Sequence, residues 1–183
     1  SAYVKANRLN VAIAEYKKVL AVNPNHAEIR NNLGVVFEKK GMLKDAIVEY
    51  ERALAIKPDY AIAHSNLGAA YNKKGMVDKA IAEYKMAIKI NPNLVKAYFG
   101  LATIYYKKGM VDEAISEYEK VLTINPDLAE VYYSLGLLLQ SQGKLADAIN
   151  AYREVIRLKP NQSKAYNNLA WIYATSLDKV IRN

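Results

Sequence analysis

Six lysines stand in adjacent pairs, Lys39-Lys40, Lys73-Lys74 and Lys107-Lys108, and the pairs recur at intervals of 34 residues. Each pair immediately precedes a glycine. If equivalent segments stack, the interval aligns Lys39, Lys73 and Lys107 as a basic ridge, which would steer an acidic partner by long-range attraction and weaken with salt. The same lysines also suit a plainer role, complementing the negative ends of helices while remaining solvated, at about 0.3–1 kcal/mol each. Ser141-Gln142 breaks the series. Groups for covalent or metal chemistry are sparse. His26 and His64 have no spacing that gathers metal ligands, and neither a glycine-rich phosphate loop nor a Ser-His-Asp arrangement stands out. With no cysteine, thiolate zinc sites, cysteine nucleophiles and disulfides are excluded. The carboxylates read as helix caps or solvated faces. Glu15, Glu49, Glu83 and Glu117 form an acidic row that opposes a uniformly basic, nucleic-acid-coating surface. The expectation is binding rather than catalysis, with no cofactor, no metal and no nucleic acid.

The elements that must position these groups follow from the punctuation of the chain. Its prolines are Pro24, Pro58, Pro92, Pro126 and Pro160, each 34 residues from the next. Gly41, Gly75, Gly109 and Gly143 keep the same interval, as do Gly34, Gly68 and Gly136, continued by Ala102 and Ala170. Tyr16, Tyr50, Tyr84, Tyr118 and Tyr152 form another column, and Ala12, Ala46, Ala80, Ala114 and Ala148 a fourth. A fixed period of this length marks stacked repeats. Between prolines lie two helical segments, such as Ala61 to Lys74 and Val77 to Ile90, joined at a glycine able to take the left-handed bend. Asn25 with Glu28, and Asp127 with Glu130, read as capping boxes. Leu67, Ala70, Tyr71 and Lys74 show the three-and-four spacing of an amphipathic helix. Gly68 and Ala80 let the paired helices approach, and Tyr71 and Tyr84 fill the space beside them.

The 183 residues, 52% hydrophobic, suffice for a sizeable core. The 26 Lys and Arg against 18 Asp and Glu leave a net charge of +8, which makes an anionic partner conceivable without naming its class. No apolar run approaches the roughly 20 residues needed to cross a bilayer, and Ser1 to Asn10 lack a secretory signal block. A soluble chain without direct membrane insertion is expected, in a cytoplasmic rather than a secreted setting.

The columns resemble the tetratricopeptide repeat. Leu67, Gly68, Tyr71, Ala80, Tyr84, Ala87 and Pro92 meet the family pattern, with His64 in place of its first aromatic. That column reads Arg30, His64, Tyr98, Tyr132 and Tyr166. The resemblance implies an all-α, right-handed solenoid of about eleven helices: full repeats over 27–60, 61–94, 95–128 and 129–162, partial ones over 1–26 and 163–183, together one domain. In register Tyr3 matches Phe37 and Tyr71, while Leu177 replaces the bend glycine. No polar capping helix is visible at either end, so a piece of a longer repeat protein, or an end covered by another molecule, is expected.

In this family the first helices of successive repeats line a concave groove that holds an extended peptide or a partner's helix. By register the groove here is implied to comprise Asn31, Asn32 and Val35; Ser65, Asn66, Ala69 and Asn72; Phe99, Thr103 and Tyr106; Tyr133, Leu137 and Gln140; and Asn167, Asn168 and Trp171. The amides suit a peptide backbone and the aromatics suit apolar side chains. The alternative for Phe99 and Trp171 is packing against neighbouring helices or further repeats. Asn32, Asn66 and Asn168 resemble the backbone-gripping asparagine ladder of O-linked N-acetylglucosamine transferases. The carboxylate clamp of some co-chaperones is matched only by Asn66 and Lys96. The expected function is a protein-interaction scaffold for a peptide with acidic flanks. Two alternatives are the substrate-recognition arm of a larger enzyme such as a glycosyltransferase, and a scaffold self-assembling through uncapped ends.

Overall fold

A computed structural model describes the backbone over residues 2–181 and the side chains over 7–175. Among the described residues there are ten α-helices and no strand: α1 (Ala2–Val22), α2 (Ala27–Lys39), α3 (Leu43–Ile56), α4 (Ala61–Lys73), α5 (Val77–Ile90), α6 (Val95–Lys107), α7 (Val111–Ile124), α8 (Ala129–Ser141), α9 (Leu145–Leu158) and α10 (Ser163–Ile181). The architecture is an α-solenoid of helical hairpins. The even-numbered helices begin at intervals of 34 residues, where the proline columns place them.

Each hairpin turns at its glycine. Gly41 has φ +82°, a conformation that a Cβ penalises by roughly 1–2 kcal/mol. Around it Met42 N–H donates to the Phe37 carbonyl at 2.9 Å and Gly41 N–H to that of Glu38 at 3.0 Å, closing a Schellman motif that satisfies the carbonyls left at the end of α2. The expected count of about eleven helices is therefore one too many. At the bend register the first and last repeats carry Asn7 and Leu177. No described non-glycine residue has positive φ, and α1 and α10 run straight through. The proposed equivalence of Tyr3 lies outside the described side chains.

The capping boxes are also corrected. The N-cap positions of α2 and α8 are His26 and Leu128, neither making a side-chain cap bond. Asn25 and Asp127 lie one residue upstream, in the turn. There the amide of Asp127 is taken by Asn125 Oδ1 at 3.2 Å and that of Asn93 by Asn91 Oδ1 at 3.0 Å, a local Asx turn that uses the asparagine two residues earlier.

The chain forms two compact units, Ser1–Ile104 and Tyr105–Asn183. In the first, α2 packs on α3, α4 on α5, α3 on α4 and α1 on α2. Tyr50, Ala46, Ala53, Ala80, Leu33 and Leu67 are buried there. In the second, α8 packs on α9, with α7 against α8 and α10 against α9. Its core gathers Tyr152, Val155, Ala165 and Ile172. In both, the packing tyrosine of the second helix lies over a glycine of the first: a Cβ on Gly34 would sit 2.6 Å from Tyr50 Cε1, and one on Gly136 2.6 Å from Tyr152 Cε1. At Gly34 and Gly136 the glycine is thus a space requirement. Burying each ring contributes about 1.5–3 kcal/mol.

Candidate functional site

In the first unit the face built by α2, α4 and α6 carries a cavity of about 220 Å³ lined by Val35, Glu38, Lys39, Asn66, Lys73 and Lys96. These residues belong only to first helices of their hairpins. A line of polar groups crosses them. Lys96 Nζ donates to Asn66 Oδ1 at 2.6 Å, Asn66 Nδ2 to Asn31 Oδ1 at 2.8 Å, and Asn31 Nδ2 to Asn32 Oδ1 at 3.4 Å. A second chain runs from Lys73 Nζ to Glu38 Oε1 at 2.6 Å, with the Tyr50 hydroxyl donating to Glu38 Oε2 at 2.9 Å. Of the three lysines that line the cavity, Lys73 holds the Glu38 carboxylate, and desolvation keeps the Lys96 pKa below the ordinary lysine value. Glu38 opposes that shift and Lys73 adds to it. The Tyr50 hydroxyl is pushed well above its usual pKa by burial, with the Glu38 charge reinforcing the effect.

The expected groove residues divide by burial. Asn31 and Asn66 are only 3% and 4% exposed, and Ser65 only 1%, so Ser65 is interior and presents nothing to a partner. The asparagine ladder likewise closes diagonally between Asn66 and Asn31, leaving Asn32 as the exposed amide. Val35, Ala69, Asn72, Phe99 and Thr103 are half-buried, and the Thr103 hydroxyl is spent on the Phe99 carbonyl at 2.8 Å. Lys39 is exposed beside the cavity.

In the second unit Tyr106, Lys107 and Asn167 are exposed, and Leu137, Gln140 and Asn168 are half-buried. Tyr133 serves the interior, its ring 6.0 Å from that of Tyr152. Gln140 accepts the Tyr152 hydroxyl at 2.8 Å, the same register relation as Glu38 to Tyr50. Trp171 is 56% exposed on α10, and Tyr166 on the same helix is 47% exposed.

Glu38 is the residue that sequence reasoning passed over. Asn72, Tyr106 and Gln140 were expected at the groove, and Glu38 holds the same position one repeat earlier, so the register alone could have found it. The acidic row also needs correction, because its members are not simply solvated. Glu49 is 7% exposed and meets Arg30 Nη1 at 3.0 Å and Arg52 Nη1 at 2.7 Å, while Glu83 meets His64 Nδ1 at 2.6 Å. Where the first aromatic is replaced by Arg30 or His64, the row supplies its carboxylate partner. Among the described residues no three His, Asp or Glu side chains are grouped to hold a metal ion, and no helix is long and apolar enough to cross a membrane.

Helical hairpins repeated at a fixed interval, presenting lysines, amides and exposed aromatics on first-helix faces, define a repeat scaffold whose surface chemistry is recognition. The family model described as TPR repeat matches residues 1–41, 39–75, 70–109 and 102–143, and that described as tetratricopeptide repeat matches 129–162. The chain belongs to the tetratricopeptide repeat family. Among solved structures it is similar to MamA, at 29% identity and TM-score 0.76 over 85% of this chain and 91% of that one. It is also similar to YrrB, "a TPR protein with an unusual peptide-binding site", at 25% identity and TM-score 0.71 over 90% and 85%. Comparison with curated proteins gives no significant match.

Proposed function

We propose that the chain is a protein-interaction scaffold whose α2–α4–α6 face binds an acidic or carboxylate-bearing stretch of a partner protein. The supporting observation is the convergence of Lys39, Lys73 and Lys96 on one cavity, with Lys96 held in place by the buried Asn66–Asn31 line. Glu38 neutralises Lys73. An incoming carboxylate competes with Glu38 for Lys73 and meets Lys96 directly, and exposed Lys39 and Asn32 extend the contact along the partner backbone. Charge-assisted bonds of this kind are about twice as strong as neutral ones. Fluorescence anisotropy with a labelled acidic peptide and its neutral counterpart, in which Gln replaces each acidic residue, tests this reading. The acidic peptide is expected to bind, more weakly as salt rises; equal binding of the two would sink the proposal.

A second reading, association of like chains through their end helices, is supported by exposed Trp171 and Tyr173 on α10 and Val11, Val19 and Val22 on α1. Sedimentation over a concentration series distinguishes it: a mass that stays that of one chain at every concentration removes it.

A further inference from the structure

The register position held by the pairs Arg30–Glu49 and His64–Glu83 is occupied in the α8–α9 hairpin by Tyr132 and Ala151, and that of Phe37 and Tyr71 by Leu139. Where Glu49 is present, its carboxylate fills the space beside Arg30 and Arg52. Ala151 has only a methyl group there, and Leu139 replaces a ring. The result is a hollow of about 480 Å³ lined in part by Ile115, Tyr132, Leu135, Leu139 and Ala151. Its counterpart in the first unit, lined in part by Lys17, Phe37, Glu49 and Arg52, encloses about 270 Å³. A volume of about 300–1,000 Å³ with a largely apolar lining is typical of ligand sites.

The charge around the two hollows differs as well. Lys17, Asp45, Glu49 and Arg52 balance around the smaller one. Glu119, Asp147 and Glu154 stand around the larger with Lys144 as their only cationic neighbour in the lining, and Arg157 reaches Glu154 from outside at 2.8 Å. On a chain of net charge +8 this is an acidic rim over an apolar floor. We propose that the hollow between α7, α8 and α9 is a second binding site, separate from the lysine cavity, for a partner segment in which an apolar side chain is flanked by Lys or Arg. The apolar side chain enters over Ala151 and Leu139, and the flanking cations meet Asp147 and Glu119.

The probe is a short fluorescein-labelled peptide alternating Leu and Lys, titrated against the whole chain by anisotropy. Tyr132→Arg with Ala151→Glu rebuilds the chain's own Arg30–Glu49 pair inside the hollow, and Asp147→Lys, an exposed change, reverses the rim while sparing the core. Each is expected to weaken binding by roughly tenfold or more, while Asp45→Lys at the smaller hollow leaves it unchanged. Should the double variant fail to fold, Asp147→Lys carries the test alone. No binding to the wild-type chain, unchanged binding to Asp147→Lys, or an equal loss from Asp45→Lys would each overturn the proposal. The lysine-cavity reading is probed with a peptide of opposite charge, so either can fail without the other.

Discussion

Replacing Lys96 by Gln removes one ammonium from the α2–α4–α6 cavity yet keeps a donor for Asn66 Oδ1, so the buried amide line stays closed. The expected cost to acidic-peptide binding follows from the surroundings. Lys96 is desolvated enough at its head to lower its pKa, and a hydrogen bond to a charged group contributes about 1.5–3 kcal/mol. Because Lys96 as a residue is exposed, the lower figure applies, about a tenfold loss of affinity. Lys73 differs. Its ammonium already lies 2.6 Å from Glu38 on a side chain 60% exposed, and such pairs are worth about 0–1 kcal/mol, so Lys73→Gln costs about fivefold or less. Glu38→Gln reverses the sign, releasing Lys73 and removing a charge that repels the ligand. Affinity should rise by about 1 kcal/mol, or fivefold. Anisotropy titrations of a fluorescein-labelled acidic peptide at low and physiological ionic strength read all three. Lys96→Gln binding as well as wild type, or Glu38→Gln binding less well, would refute the reasoning.

Gly136→Ala drives a methyl group to 2.6 Å from the fully buried Tyr152 ring; overpacking costs about 1–3 kcal/mol against about 1 kcal/mol of helix propensity gained. Urea unfolding should therefore show a net loss larger than for Gly68→Ala, where the nearest ring atom is 3.1 Å away. Glu49→Ala leaves Arg30 unpaired at a side-chain exposure of 15% and is expected to lower stability by about 3 kcal/mol; adding Arg30→Tyr, which copies the Tyr132–Ala151 pair, should recover much of it. The lowered pKa of Lys96 sets a pH dependence: its charged form is disfavoured in the fold, a penalty present at neutral pH and relieved as pH rises through the folded value. Thermal melts of Lys96→Gln should thus exceed wild type at neutral pH and lose that advantage in alkaline solution. Trp171 is the only tryptophan, so its emission should be that of a solvent-exposed indole, and Trp171→Ala should change stability by less than about 0.5 kcal/mol.

Spacing made the helices legible because proline and glycine act locally: one stops a helix, the other bends the chain, and both recur in register. Where the bend position holds Asn7 or Leu177 the glycine is missing and the helix is unbroken, whereas counting repeats gave one helix more. Burial was less legible. Asn31 and Ser65 share a register position and both were expected at a surface; three-and-four periodicity does not reveal that both are buried, with Asn66 reaching diagonally to Asn31. Pairings between columns were harder still. Arg30 and Glu49 are 19 residues apart on different helices, and only the hairpin geometry makes them partners.

The packing tyrosines connect that hidden layer to the surface. Tyr50 and Tyr152 are both fully buried, yet each hydroxyl ends on the first-helix side, against Glu38 at 2.9 Å and Gln140 at 2.8 Å. A repeat can therefore change its surface charge at this position while keeping the ring, the glycine beneath it and the hydrogen bond, since a carboxylate and an amide oxygen both accept. The outer pair follows the opposite logic: exchanging an ion pair for Tyr132 and Ala151 preserves the hairpin but leaves unfilled volume. One backbone unit thus carries two kinds of variable position. The first alters the sign of a surface, and the second decides whether a hollow exists at all.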